Sequence, residues 1–425
     1  MGAPERIVII TGAAYAQLDG RKPPSTCSSS PSRRRVGPTG NASALATTTQ
    51  PTGHPRRPAA PQRLSDQQEQ QVQTYVSPPG IAHGPYDITT DDMAAVMRRH
   101  HPRTVEHPGF LTTARAVSGR RRRRVHPLPE DGREPTPYTT DDRHRDLRAL
   151  MERAGRKALR HAGISARDVG GLVVVQDAPL AGADQLLDSD LVRALGLPST
   201  TARVPLTGLA GTGAVHALIV AEDMARLGKP TLVVTAEIHQ PSTALTSDIA
   251  SPATLVRQLM ACDGGAAVIV SSQALTAPGL VIDETWQYAH PDTGTSAQAE
   301  ELGCPVQDHP GLAALPWLRP GQKLPDFALV HPGGPDPLHS LSGTNTVPQQ
   351  ALEPSLASIA DDGDLGAASV LQMLARLHQQ PPAAGCHGLL LGLAPGHLAA
   401  ACRVRWTPSA VARQERPRLA HEAAS

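Results

Sequence analysis

Residues 162–237 read AGISARDVGGLVVVQDAPLAGADQLLDSDLVRALGLPSTTARVPLTGLAGTGAVHALIVAEDMARLGKPTLVVTAE. Two apolar runs, Leu172–Val175 and Thr231–Ala236, are continuous rather than alternating, the pattern of strands covered on both faces. Between them Gln185–Leu195 has helical spacing and stops at Gly196. Thr201–Leu206 reads as a third strand, and Gly213–Leu227 as the helix that follows it. Strands and helices alternating at this pace specify an α/β protein with a mainly parallel sheet.

Upstream, Asp146–Ala162 is an amphipathic helix with Leu147, Leu150, Met151, Ala154, Ala158 and Leu159 on one stripe, closed by Gly163. Downstream, Ala266–Val270 is another buried strand, and Leu280–Ala289 opens a second round. Phe327–Val330 is a strand running into His331-Pro332-Gly333-Gly334, Leu365–Leu377 an apolar helix and Gly388–Leu393 a last strand. Two rounds of similar plan suggest an internal duplication, with halves at 80–272 and 273–408 and a flexible tail at 409–425. Residues 1–16 read as a first strand. Their apolar run is short, follows Glu5 and contains Gly12, unlike a signal peptide. Residues 17–79, rich in Ser, Thr, Pro, Gln and Arg, read as a disordered insertion.

The 425 residues carry 40 Lys and Arg against 39 Asp and Glu, a balance unlike that of a nucleic-acid or membrane-surface binder. Aromatic residues are only 2%, too few for base-stacking platforms. No apolar run reaches the ~18–20 residues of a membrane span. Cys27, Cys262, Cys304, Cys386 and Cys402 are scattered and odd in number. That argues against a zinc ribbon or disulfide framework and suits a reducing cytoplasm. Arg120, Arg121, Arg122, Arg123 and Arg124 form a run that cannot all face one core; it reads as a solvated segment or as an anion clamp.

Five ordered segments resemble the thiolase superfamily, and within it the type III polyketide synthases related to chalcone synthase. They are residues 162–237, Cys262–Val270 (CDGGAAVIV), His331–Pro335 (HPGGP), Gly363–Leu371 (GDLGAASVL) and Gly392–Gly396 (GLAPG). In the family these places hold the nucleophile elbow, a Gly-Asp-Gly-Ala turn, the catalytic histidine, a Gly-Asn-Met-Ser-Ser-Ala segment and a Gly-Phe-Gly-Pro-Gly loop. The likeness spans roughly residues 92–406. It implies a thiolase fold, a five-layered αβαβα core of two duplicated halves, in a homodimer. It also implies acyl-CoA loading on cysteine, decarboxylation of malonyl-CoA and condensation, with no cofactor or metal beyond the thioester substrate.

Carried over residue by residue, the resemblance leaves the nucleophile position to Gly211, whose lack of a side chain forbids an acyl-enzyme there. His331 keeps the histidine position, and Asp364 stands where the family has asparagine. An ionised carboxylate accepts hydrogen bonds but donates none, so an oxyanion hole gives way to a His–Asp pair suited to deprotonation. Thr212 at the helix start reads as a cap or a substitute nucleophile, and Cys262 as an inert packing thiol or a reactive one. Leu180, Thr243, Ala261, Gly333, Gly334 and Pro395 are expected to line the pocket. Thr243 and Ala261 replace two gatekeeping phenylalanines and widen it. The five arginines fall where the family meets CoA phosphates, and their number also suits an acyl carrier protein. Two functions follow. One is an enzyme that works on an acyl thioester or polyketide intermediate by noncovalent His–Asp chemistry: direct acyl transfer, cyclisation or decarboxylation. The other is a catalytically inactive thiolase-fold subunit forming a heterodimer with an active synthase.

Overall fold

The computed structural model describes residues 73–129, 138–176, 187–239, 252–289, 309–319, 321–331, 338, 341, 347–394 and 398–408. The strand expected at 1–16 and the tail at 409–425 lie outside them. The buried runs become the strands β5 (Gly171–Gln176), β7 (Thr231–Glu237), β8 (Gly264–Ser271), β9 (Gly279–Ala289), β10 (Phe327–His331) and β11 (His387–Ala394). β6 (Ala202–Thr207) lies beside β5, and β12 (Leu398–Thr407) returns along β11.

Hydrogen bonding orders the main sheet β10-β11-β12-β9-β1-β8-β7-β5-β6, where β1 is Thr74–Val76; β2 (Gly80–His83) adds to β8. Read from its middle, this order is nearly a palindrome. β1-β8-β7-β5 on one side repeats as β9-β12-β11-β10 on the other, with β7–β5 and β11–β10 both parallel and β8–β7 and β12–β11 both antiparallel. This is the α/β thiolase-like fold with its halves joined where β1 pairs with β9. The sheet is mixed rather than mainly parallel, because each half closes with an antiparallel return strand.

The segment expected to be disordered up to residue 79 ends sooner. Thr74 and Val76 are wholly buried, and β1 is held by β8 on one side and β9 on the other. The arginine run also departs from the expected solvated segment. Arg121–Arg124 form β4 against β3 (Tyr86–Thr89), and alternate residues turn inward, leaving Arg122 and Arg124 almost fully buried.

Nine helices are described: α1 (Thr90–His100), α2 (Pro108–Ala116), α3 (Thr140–Ala162), α4 (Leu187–Leu195), α5 (Gly213–Ala225), α6 (Pro252–Met260), α7 (Pro310–Ala314), α8 (Gln349–Asp361) and α9 (Ser369–Gln379). α3 starts earlier than its apolar stripe. Thr139 and Asp142 close a capping box, each side chain accepting the other's backbone N–H. It ends at Gly163, whose φ of 67° suits a left-handed cap. α9 begins later than Leu365 because residues 364–368 are consumed in a turn.

That turn repeats one in the first half. Ala210–Thr212 and Gly366–Ala368 are both single 3-10 turns running into a buried helix. Each carries a positive φ at its first residue, 43° at Ala210 and 54° at Gly366. Ala210 is the one non-glycine residue with positive φ among those described, so the first elbow holds local strain.

Candidate active site

The two elbows meet at His331. The last residue of β10, His331 is 5% exposed, and its Nε2 lies 2.8 Å from Oδ1 of Asp364. The same carboxylate oxygen accepts the Gly366 N–H at 2.8 Å and the Ser369 hydroxyl at 2.9 Å. The segment itself is clamped. Asp364 N–H donates to the Met260 carbonyl at 2.8 Å, and Cys262 N–H donates to the Asp364 carbonyl at 2.8 Å.

Charge follows from this packing. Burial works against the protonated imidazole, but the charge of Asp364 and its hydrogen bond outweigh it, so the His331 pKa is raised. Burial also works against ionised Asp364, yet His331 and the other donors hold its pKa far below the usual carboxylate range. In the neutral ring the bond to Asp364 keeps the proton on Nε2, and Nδ1 carries the lone pair. Nδ1 is buried without a well-formed hydrogen bond among the described residues, and the Gly211 backbone beside it favours the protonated ring. It faces Gly211: a β-carbon there would fall 2.5 Å from Cε1 of His331 and closer still to Nδ1. The imidazole occupies the space a side chain at 211 would need.

The other expected residues are placed as follows. Thr212 is fully buried and makes no side-chain cap; its hydroxyl donates to the Leu209 carbonyl at 2.6 Å. Cys262 is buried with its thiol on the Arg123 carbonyl at 3.3 Å, and burial pushes its pKa up to about 12. That is the electrostatics of a packing thiol rather than of a thiolate. Cys402 is buried and likewise raised. Ala261 is buried and bridges to Asp364 through its backbone. Leu180, Thr243, Gly333, Gly334 and Pro395 lie outside the described residues.

Within the arginine run, Arg122 donates to the Ala360 and Asp361 carbonyls at 3.3 and 3.2 Å. Arg124 donates to the carbonyls of Ala261 and His239 and to Gln258 Oε1, each at 3.2 Å. These two guanidiniums hold the segments on either side of Asp364 and are not available to a phosphate. Arg120, Arg121 and Arg123 keep solvent contact while pairing with Asp361 or Asp87. Sequence reasoning did not single out Ser369, Gly366, Glu237, His239 or Asp263. Their only signal is adjacency, since Ser369 and Gly366 belong to the GDLGAASVL segment and Asp263 to CDGG.

A buried imidazole–carboxylate pair between two helix-leading elbows of a duplicated α/β fold defines an enzyme-type site of the thiolase-like class. No protein-family model matches the chain. It is 31% identical over 277 residues to a 1,3,6,8-tetrahydroxynaphthalene synthase of Streptomyces peucetius subsp. caesius, covering 61% of this chain and 73% of that protein. A second synthase of that name, from Streptomyces coelicolor, is 25% identical over 75% of this chain and 88% of its own length. Among solved structures, the Streptomyces coelicolor 1,3,6,8-tetrahydroxynaphthalene synthase, a bacterial type III polyketide synthase, superposes with a TM-score of 0.64. The match has 24% identity and covers 79% of this chain and 100% of the other. The germicidin synthase of Streptomyces coelicolor gives a TM-score of 0.65 at 23% identity, covering 79% and 99%. The chain belongs to the type III polyketide synthase family.

Proposed function

We propose that this protein acts on an acyl thioester or polyketide intermediate by noncovalent acid–base chemistry, with His331 as base and Asp364 as its charge partner. The observation that carries the reading is the 2.8 Å contact between His331 Nε2 and Asp364 Oδ1. It makes the ring more basic and turns the lone pair of Nδ1 toward Gly211, the place where the resemblance expects a sulfur nucleophile. A substrate carbon or hydroxyl brought within hydrogen-bond reach of Nδ1 loses its proton to it. The resulting carbanion or alkoxide then attacks a carbonyl in direct acyl transfer or cyclisation; in decarboxylation, the enolate left by loss of CO2 is protonated instead. No step requires an acyl-enzyme. Cys262 and Cys402, both buried and raised in pKa, support that absence.

A protein of the same fold, CsyB, has been solved with CoA-SH (TM-score 0.61). A CoA or carrier-protein phosphate is the substrate handle that Arg120, Arg121 and Arg123 suit; Arg122 and Arg124 serve the site from inside. A homodimer fits the family. The second reading, an inactive subunit paired with a cysteine-bearing synthase, draws on the burial of His331, whose ring fills the space beside Gly211.

The test is incubation with malonyl-CoA and a panel of acyl-CoAs and acyl carrier proteins, following released products and intact protein mass. Turnover without a covalent adduct, abolished by His331→Gln, is the expected result. An acyl adduct on any residue overturns the noncovalent route. No turnover alone, with turnover after addition of a co-purifying homologue, establishes the subunit reading.

A further inference from the structure

Three groups meet on one oxygen of Asp364, and they reach it from different parts of the chain. His331 Nε2 arrives from the end of β10 at 2.8 Å. The Gly366 N–H lies two residues on in the same turn, also at 2.8 Å, the local bond of an Asx turn. The third is the hydroxyl of Ser369, the first residue of α9, at 2.9 Å. Every described hydrogen bond to this carboxylate falls on Oδ1.

Ser369 is only 2% exposed, and its Oγ has a second duty. It accepts the N–H of Leu365, the residue directly after Asp364, at 2.9 Å. A hydroxyl owns one proton, and an ionised carboxylate can only accept, so that proton points at Asp364. Ser369 thus grips both the backbone after Asp364 and its side chain. Together with the Gly366 N–H it aims the carboxylate from within residues 364–369, independently of His331. The imidazole then meets an acceptor already in place, which is how a supporting residue fixes a reacting one. The neighbouring charges play another part. The His239 N–H donates to Asp263 Oδ1 at 2.8 Å, and Arg124 Nε lies 3.5 Å from Oδ2 of that residue. That buried network holds backbone and makes no described hydrogen bond to Oδ1 of Asp364. Glu237 packs against Gly366, where a β-carbon would meet its Oε2 at 2.9 Å.

We propose that Ser369 is a positioning residue of this site: its hydroxyl holds Oδ1 of Asp364 on His331 Nε2 and so keeps the ring basic at Nδ1. The consequence for turnover rests on the acid–base reading given above. Without the hydroxyl, Oδ1 keeps only the Gly366 N–H from its own segment, and the carboxylate is free to rotate off the ring. His331 then spends less time against a fixed negative charge and titrates nearer an ordinary imidazole. The other charges around the pair, Glu237 and His239, stay in place in every variant below, so a shift reports on Ser369.

Ring-labelled histidine in the full-length protein, followed by NMR between pH 5 and 10, tests the positioning without any reaction. Ser369→Ala is expected to lower the His331 midpoint by roughly half a pH unit or more, and Ser369→Thr, which keeps the hydroxyl, to preserve it. Ser369→Cys, close in size and a weak donor, carries the alanine expectation should the alanine protein not fold. In an Asp364→Asn background Ser369→Ala should leave the midpoint where it is, because the effect runs through the carboxylate. With the acyl-CoA panel, Ser369→Ala should lower kcat roughly tenfold, short of the hundredfold or more of a lost general base, at unchanged KM. The limb of the pH–rate profile that rises with pH should move down with the midpoint. A midpoint in Ser369→Ala equal to or above the parent's overturns the proposal. So does an equal fall in the Asp364→Asn background, or a threonine protein that titrates like the alanine one. Failure of the acid–base reading looks different: the unsubstituted protein turns over none of the panel, while the titrations still decide the positioning.

Discussion

Gly211 and His331 exclude alternatives to one another. With a β-carbon at 211 falling 2.5 Å or less from the imidazole, no side chain enters unless the ring leaves Asp364. Gly211→Ala is therefore expected to cost about 1–3 kcal/mol, as overpacking does, and to return the His331 titration toward an ordinary imidazole; urea unfolding and histidine NMR measure both. Gly211→Cys should behave likewise, and intact mass after incubation with acyl-CoA should show no thioester. Asp364→Asn keeps the shape but removes the charge. The lowered pKa of Asp364 gives stability that is present above the ordinary carboxylate value and lost as pH falls through the depressed one. The raised pKa of His331 gives stability that is full below the ordinary imidazole value and lost as pH rises through the raised one. Both terms act together between about pH 4 and 6.5. The loss on Asp364→Asn, about 1–3 kcal/mol, should be largest there and shrink at pH 9.

At the scale of elements, β4 puts four arginines in one strand with two different fates. Arg122→Met leaves the Ala360 and Asp361 carbonyls without their donor, loosening the segment that presents Asp364. We expect a loss of about 1–3 kcal/mol together with a fall in turnover. Arg121→Met, one residue away and exposed, should change stability by no more than about 0.5 kcal/mol. Denaturant melts of the two proteins check the contrast. This strand also marks what the sequence could not disclose. Buried strands such as Leu172–Val175 announce themselves because continuous apolarity has no other stable home. His331 and Asp364 could be placed by motif, at a spacing that allowed them to meet. A strand of arginine has no such signature, since its inward alternation exists only once Asp263 and the α8 carbonyls are there to receive it. α8 itself, with Pro354 inside, and β1, three residues in a polar stretch, fail local criteria for the same reason. His239 and Asp263 likewise belong to no motif that pairs them; the sheet brings them together.

Across the molecule, the palindromic order of strands converges on β1. Val76 is fully buried and opposes Val270 in one half and Leu280 in the other. An ionised side chain there has no partner in either sheet half, so Val76→Asp should unfold both together. One cooperative transition, shifted by more than about 3 kcal/mol, is the expected outcome. Separate transitions for the two halves, by near-ultraviolet circular dichroism and tryptophan fluorescence, would show that β1 does not couple them.

The placement of β1 also sets a schedule. Its partners are encoded roughly two hundred residues later, so at ribosomal speeds of about 5–20 residues per second the strand emerges some 10–40 s before anything can pair with it. During that interval Thr74–Val76 offers two bare edges to any passing chain, and a nascent polypeptide of this design benefits from chaperone cover until about two thirds of its message has been translated.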